Sequence, residues 1–173
     1  MTQSTTGTLN QVDLQSIGTL VEKIRQEPQS ARTQWKAEVQ WTGGFRSDSR
    51  SRDFGPVHSD EPAGLGGTNT APNPVEQLLA ALGNCLAVGY AANASVAGIA
   101  IRSLRIDLEG AIDLHTFLGL GGDNAGYESI RVGVHIDADA TPEQIQALHQ
   151  KVVGSSPVGH TLSRGVPLKI DLA

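Results

Sequence analysis

Apolar residues near the N-terminus recur three or four positions apart, which is the spacing of one face of a helix. They are Leu14, Ile17, Val21 and Ile24. Asn10 with Asp13 is a candidate cap for the start of this helix. Pro28 marks its end, because proline interrupts the hydrogen bonding of a helix. The pattern therefore predicts a first helix that ends before Pro28.

The period changes to two in the stretch TQWKAEVQWT, which follows this helix. Trp35, Ala37, Val39 and Trp41 share one face, and the residues between them are polar. Strict alternation of this kind is typical of a strand with one buried face. We therefore predict a half-buried strand here. The chain from Gly43 to Pro74 is predicted to be a loop with a possible short strand around Phe54 to His58. Its last part, GLGGTNTAPNP, has too many Gly, Thr, Asn and Pro residues for regular structure.

A marked helix start follows this loop. Asn73 is a candidate N-cap, Pro74 suits the first helical position, and Glu76 completes a capping box three residues after the cap. No charged side chain occurs from Gln77 to Ile101. The pattern predicts an apolar helix that ends near Val96 or Ala97 and is closed by Gly98, since glycine readily adopts the left-handed conformation of a helix end.

The rest of the chain predicts two strands, a helix and a last strand. Apolar positions alternate at Leu104–Leu114, with Gly110 as a possible bulge, and again at Ile130–Ile136 and Val166–Leu172. Thr141, Pro142 and Gln144 predict the start of the intervening helix. Because the first two of these strands are adjacent in sequence, we expect them to pair antiparallel. The predicted fold class is α+β.

The uncharged helix needs cover on every side. It is long enough to span a bilayer, but it contains several Gly, Asn and Ser residues and has no Lys/Arg cluster before it, which argues against a membrane span. A helix that is apolar on all sides can also be buried in a soluble assembly. One sheet covers one side only, so we expect a second copy of the chain to cover the rest.

Composition narrows the class of protein. The 173 residues suit one domain, or one domain with a short arm. A net charge of −5 argues against a nucleic-acid partner, because phosphate binding needs clustered positive charge. The N-terminus lacks the basic and apolar segments of a signal peptide. A single cysteine forms no intramolecular disulfide, and we expect a cytoplasmic protein.

Cys85, the one cysteine, lies in the middle of the apolar helix. It is either a small core residue or a reactive thiol, and a reactive thiol here needs a cation brought from elsewhere in the fold. Glu76 is explained most simply by the capping box. The histidines show no metal-ligand spacing, so we expect neither a metal nor a cofactor. They are His58, His115, His135, His149 and His160.

Two stretches together resemble the OsmC/Ohr family of bacterial thiol peroxidases. They are GGTNTAPNPVEQLLAALGNCLAVGYAANA and the later SSPVGHTLSRGVPLKI. The similarity runs from Trp35 onward, which predicts an OsmC-like domain at residues 34–173 and an N-terminal helical extension at residues 1–33. The resemblance implies an intertwined homodimer in which antiparallel sheets wrap around central buried helices. It also implies that a helix cysteine attacks the peroxide.

The family's site residues match this sequence unevenly. Cys85 matches the reactive cysteine, and Arg46 best matches the arginine that stabilises its thiolate, with Arg50 and Arg52 as alternatives. The family's glutamate directly follows the proline, where this chain has Val75 and places Glu76 one step later. The resolving cysteine of the family falls at Ser156.

The resemblance therefore implies a one-cysteine mechanism. Cys85 would reduce an organic hydroperoxide, and an external thiol reductant would restore it. The alternative is a degenerate dimer that has lost this chemistry and binds a small apolar ligand at the subunit interface. Neither reading involves nucleic acid or a membrane.

Overall fold

The computed structural model describes residues 8–172, which form two compact units. One unit contains residues 8–15 and 79–172, and the other contains residues 16–78. The helices are α1 (Leu14–Gln26), α2 (Pro74–Val96), α3 (Pro142–Ser155) and α4 (Pro157–Arg164). The strands are β1 (Glu38–Gly43), β2 (Arg46–Arg50), β3 (Val57–Ser59), β4 (Ile101–Ile112) and β5 (Tyr127–Ala138). The α+β class predicted from the sequence is confirmed.

In the unit of residues 16–78, β1, β2 and β3 form an antiparallel sheet in that order. The prediction of a loop after Gly43 is wrong at β2, whose sequence RSDSR has no apolar position. Pairing with a neighbour on each side forms this strand where its own sequence gives no periodic signal. Gly43 ends β1 and Gly44 lies in the turn before β2, with φ of 112° and 61°.

β1 itself is exposed on both faces. The side chain of Val39 is 66% exposed and that of Trp41 is 72% exposed. The predicted alternation is present, but the prediction of a half-buried strand is wrong for the single chain. Trp35 lies before the strand and is also exposed.

The larger unit is built on α2 and the β4–β5 hairpin. Its core includes Leu82, Leu86, Tyr90 and Ala94, which recur every four residues on one face of α2. They pack with Ile99, Leu148, Val152 and the inward-facing residues of both strands. The predicted antiparallel pairing of β4 and β5 is confirmed. A register shift lies between Ala111 and Ile112, next to the predicted bulge at Gly110.

Both predicted ends of α2 are confirmed. The Asn73 amide oxygen accepts from the Glu76 N–H, and the Glu76 carboxylate accepts from the Asn73 N–H, each at 2.9 Å. At the other end Gly98 has φ of 71°, and its N–H donates to the Ser95 carbonyl at 3.1 Å. Each end of the helix therefore has partners for backbone groups that helix geometry leaves unpaired.

Asn10 has a different role from the predicted helix cap. Its side chain donates to Ser95 Oγ at 3.0 Å and to the Ile99 carbonyl at 2.9 Å, and it accepts from the Ile101 N–H at 2.8 Å. These bonds join the start of the described chain to the connection between α2 and β4.

Two predictions near the C-terminus differ from the structure. α4 was not predicted as a helix, although Val158 and Leu162 lie four positions apart and both pack against the core. The prediction of a last strand at Val166–Leu172 is wrong for the single chain, because this segment forms no strand and pairs with none in the described residues. Leu168 is 80% exposed and Ile170 is 85% exposed. Alternating apolar residues favour a strand, but a strand also needs a partner strand with which to exchange backbone hydrogen bonds.

α2 is the one helix among residues 8–172 with the length and composition of a membrane span. Such a helix is weak evidence for a membrane protein, because the core helix of a soluble fold passes the same test. Here one face of α2 carries the core of an α+β unit. The fold is therefore of the soluble type.

Candidate functional site

Cys85 and Ser156, which lie 71 positions apart in sequence, are in contact. Cys85 is partly exposed on α2, and its sulfur lies 3.3 Å from Ser156 Oγ. Ser156 is 4% exposed and is the N-cap of α4. Its hydroxyl accepts from the Gly159 N–H at 3.1 Å. The fold thus brings together the two positions that the resemblance assigns to the reactive and resolving cysteines.

The first turn of α4 lies close to α2 at this point. A Cβ placed on Gly159 would lie 3.1 Å from Ser156 Oγ and 3.9 Å from Leu82 Cδ1. Leu82 and Leu86, which flank Cys85 on α2, are both buried. The partly exposed sulfur therefore has one buried hydroxyl beside it, on the side where α4 meets α2.

The two neighbouring serines differ sharply. Ser155 is exposed, and its hydroxyl donates to the Lys151 carbonyl of α3 at 2.7 Å. Ser156 alone of the two contacts the sulfur. This difference makes Ser155 a matched control for experiments on Ser156.

Arg46 lies at the start of β2, in the unit of residues 16–78. Its Nε donates to the Gly43 carbonyl at 3.3 Å, which ties the side chain to the β1–β2 turn. An open surface pocket there is lined by Thr42, Arg46, Asp48, His58, Ser59 and Thr70. In it, His58 Nδ1 lies 2.8 Å from Asp48 Oδ1.

The alternative arginines have other surroundings. Arg50 ends β2 and lies opposite Glu38 in the register of β1 and β2. Arg52 follows the strand with φ of 55°, and its guanidinium carbon lies 4.5 Å above the centre of the Phe54 ring. Arg52 therefore already has a cation–π partner.

Glu76 acts as the capping residue that its sequence position indicates. Its carboxylate accepts from the N–H of Asn73, whose side-chain amide in turn donates to Glu61 Oε2 at 3.1 Å. These hydrogen bonds account for a glutamate at position 76 as part of the helix cap, without a catalytic role.

Sequence reasoning missed Asp60, a carboxylate that is 1% exposed. Its oxygens accept from the hydroxyls of Thr68 at 2.6 Å and Thr70 at 2.9 Å, and from the N–H groups of Glu61, Thr68 and Thr70. The Thr68 hydroxyl bond is the largest cause that holds the pKa of Asp60 well below its usual range, against the opposing effect of burial. Uncharged donors thus stabilise an anion inside the loop before α2.

Gly67 allows that loop to close around Asp60. A Cβ at Gly67 would lie 1.8 Å from the Glu61 carbonyl oxygen, closer than atoms can approach. The same carbonyl accepts from the Asn69 N–H at 3.0 Å. An Asp among Thr and Gly residues is common in loops, so the sequence carried no signal for this buried anion.

Four of the five histidines contact other side chains, and His58 beside Asp48 is one of them. His115 contacts Asp113, His135 contacts Asp107, and His149 contacts the hydroxyl of buried Tyr90. Within residues 8–172 there is no group of three or more His, Cys, Asp or Glu side chains that could hold a metal ion.

The sequence matches the family model described as "OsmC-like protein" over residues 67–171. This range includes Cys85, Glu76 and Ser156, and it covers more than half of the chain. No curated protein matches the sequence significantly.

Similar solved structures are also of this type. An OsmC-like protein from Mycoplasma pneumoniae has a TM-score of 0.66 at 19% identity, with 78% of this chain and 89% of that chain covered. An organic hydroperoxide resistance protein OsmC from Legionella pneumophila has a TM-score of 0.59 at 18% identity, with coverage of 76% and 90%. One from Elizabethkingia anophelis has a TM-score of 0.57 at 20% identity, with coverage of 78% and 92%.

Proposed function

Because the chain belongs to the OsmC-like family, we propose that it reduces organic hydroperoxides with Cys85 as its reactive thiol. Two of the similar structures are named organic hydroperoxide resistance proteins, which supports a peroxide-related role. The observation that carries the proposal is the partly exposed Cys85 sulfur, 3.3 Å from a buried hydroxyl at the start of α4. A sulfur that serves only as core filling needs no such polar neighbour.

The first step is attack by the Cys85 thiolate on the terminal oxygen of the hydroperoxide. A sulfur–oxygen bond forms and the oxygen–oxygen bond breaks, so that sulfur is oxidised by two electrons to a sulfenic acid. The leaving alkoxide takes up a proton and departs as the alcohol. The thiolate is the nucleophile in this step, so the site must favour it over the thiol.

An external thiol completes the cycle. It attacks the sulfenic acid, releases water and leaves a mixed disulfide on Cys85. A second thiol then releases the Cys85 thiolate and departs as the oxidised disulfide. The reductant is external because the chain has one cysteine and a serine at position 156. A lone thiol that must stay reduced suits the cytoplasm.

Arg46 is proposed as the cation that favours the thiolate, in agreement with its place in the resemblance. Its side chain is anchored at the β1–β2 turn, whereas Arg52 is stacked on Phe54. A positive charge within a few ångströms of an acidic group favours the charged form of that group.

The active form is proposed to be a homodimer. Apolar side chains remain exposed on β1, on α2 and along the C-terminal segment. They include Val39, Trp41, Val88, Val96, Val166, Leu168, Ile170 and Leu172. A monomer rarely exposes apolar surface on this scale, and a second copy would cover it.

Steady-state consumption of cumene hydroperoxide, with dithiothreitol as reductant, tests the proposal. The native chain should consume the hydroperoxide, and Cys85→Ser should fall to the rate of buffer alone. Arg46→Ala should be at least about ten-fold slower, because the thiolate loses its counter-charge. Arg50→Ala is the matched control and should keep the native rate.

Two results would contradict the proposal. Undiminished consumption by Cys85→Ser would remove Cys85 from the reaction. A native rate in Arg46→Ala together with a slow Arg50→Ala or Arg52→Ala would transfer the role of the cation to another arginine.

A further inference from the structure

We infer that Ser156 donates its hydroxyl proton to the Cys85 thiolate, an inference that rests on the thiol chemistry proposed above. The residue stands where the family resemblance places a resolving cysteine, and it cannot form a disulfide. In this chain the sulfur would have a hydrogen-bond donor, Ser156, at the position where the family has a cysteine that forms a disulfide with it. Ser156 would thus stabilise the nucleophile before the reaction instead of resolving its product.

The single proton and two lone pairs of the Ser156 hydroxyl determine which atom donates in its hydrogen bond with the Cys85 sulfur. A serine hydroxyl has one proton and two lone pairs. The Gly159 N–H occupies one lone pair of Ser156 Oγ at 3.1 Å, so the proton is not used in that contact. The Cys85 sulfur lies 3.3 Å from the same oxygen. A thiolate has no proton to give, so in the reactive state sulfur accepts and Ser156 donates.

Burial of Ser156 strengthens its hydrogen bond to the Cys85 sulfur. Ser156 is 4% exposed, so bulk water competes poorly for its proton. A hydrogen bond to a charged partner is stronger than one between neutral groups. The N–H of Gly159 also polarises the hydroxyl that it bonds to, which strengthens donation to sulfur. Each effect favours the thiolate over the thiol.

A purely structural role for Ser156 makes different predictions. As the N-cap of α4 it needs only an oxygen that accepts from Gly159. Glycine is tolerated at an N-cap with little loss of stability, and it has no hydroxyl. Threonine keeps both the cap and the donor. Ser156→Gly and Ser156→Thr therefore separate donation to sulfur from capping.

The experiment is the rate of Cys85 alkylation by iodoacetamide between about pH 6 and 10, where cysteine thiols ordinarily titrate. In Ser156→Gly the profile should move to higher pH, and the rate at neutral pH should fall about ten-fold, the effect of losing one hydrogen bond to a charged group. Ser156→Thr should keep the native profile. Ser155→Ala, the matched control, should also keep it.

A native alkylation profile in folded Ser156→Gly would overturn the inference. Folding is checked by thermal unfolding. Should the glycine variant not fold, Ser156→Ala takes its place, because it also lacks the donor and adds no charge beside the sulfur; a native profile there would be equally decisive.

Alkylation requires no peroxide, so the two proposals fail separately. A native chain that does not consume hydroperoxide, with a shifted profile in Ser156→Gly, would overturn the proposed activity and leave the hydrogen bond. Normal hydroperoxide consumption by the native chain, with an unshifted alkylation profile in Ser156→Gly, would support the proposed activity and overturn the hydrogen bond.

Discussion

Asp60 is held as an anion by the loop that leads into α2. Two threonine hydroxyls and three backbone N–H groups donate to it. Because a carboxylate accepts such bonds better than a carboxylic acid does, the pKa of Asp60 is lowered in the folded protein, with the Thr68 hydroxyl as the first cause. The charge of Asp60 therefore stabilises the fold.

The sign of the pH dependence follows from the lowered pKa. The unfolded chain binds this proton near pH 4, at the ordinary value of an aspartate. The stabilising contribution is therefore complete above about pH 4 and is lost as the pH falls toward the lower folded value. We predict that the melting temperature of the native protein drops below about pH 4 more steeply than that of Asp60→Asn.

At neutral pH, Asp60→Asn should melt several degrees lower than the native protein. Its amide nitrogen would face N–H and hydroxyl donors without a proton acceptor to offer them. Thermal unfolding as a function of pH measures both effects. Asp123→Asn, in the exposed hairpin loop, is the control and should behave as native. Parallel curves for Asp60→Asn and the native protein would contradict this account of Asp60.

For single residues, the sequence predicted the contacts between residues that are a few positions apart. The capping box of Asn73 and Glu76 spans three positions and was predicted correctly, since all its atoms belong to one helix turn. The contact of Cys85 with Ser156 joins residues of two helices, and no local pattern encodes it. The family resemblance supplied that pair, and the structure supplied the distance.

At the scale of elements, Gly89 sets how closely α2 and α3 pack. A Cβ placed on it would lie 2.9 Å from Val152 Cγ1, and Val152 is buried in the core. A β-branched side chain in a close-packed core has little freedom to move away. The small residue is therefore required for this helix contact.

We predict that Gly89→Ala destabilises the protein by about 1–3 kcal/mol through overpacking. The control is Gly154→Ala in α3, where an added Cβ meets no atom within 4 Å. It should be neutral or stabilise the helix by up to about 1 kcal/mol, since alanine favours helix more than glycine does. Urea unfolding measures both. Equal stability changes in the two variants would show that the contact with Val152 is unimportant.

The elements that sequence predicted well are long and periodic. α2, β4 and β5 each repeat an apolar pattern over many positions, and each was found. β2 has no apolar position, so only its pairing with β1 and β3 defines it. The segment Val166–Leu172 shows the opposite case, since it has the pattern of a strand and no partner strand in the described chain.

At the scale of the whole molecule, the exposed apolar residues carry the dimer proposal. We predict a solution mass of twice 18.2 kDa by light scattering. Leu168→Glu should shift the protein toward monomer, because burying an unpaired charge at an interface is costly. The neighbouring Lys169→Glu reverses a charge in the same segment and should leave the dimer intact. A native monomer, or a Leu168→Glu dimer of native affinity, would contradict the proposal.

Sequence indicated this dimer through a single physical argument. A helix without a polar face needs more cover than one small chain offers. In the single chain Val88 of α2 is 70% exposed, while the opposite face of the helix carries the core. The two-unit division of the chain was not predicted, because compactness depends on contacts that no periodicity records.

In the proposed reaction, Cys85 itself takes an oxygen atom from an organic hydroperoxide. The most direct test is to add one equivalent of cumene hydroperoxide to the reduced native protein in the presence of dimedone, which traps sulfenic acids, and to analyse the peptides by mass spectrometry. We expect a dimedone adduct on Cys85 and release of the corresponding alcohol. An unmodified Cys85 beside unconsumed hydroperoxide would contradict it.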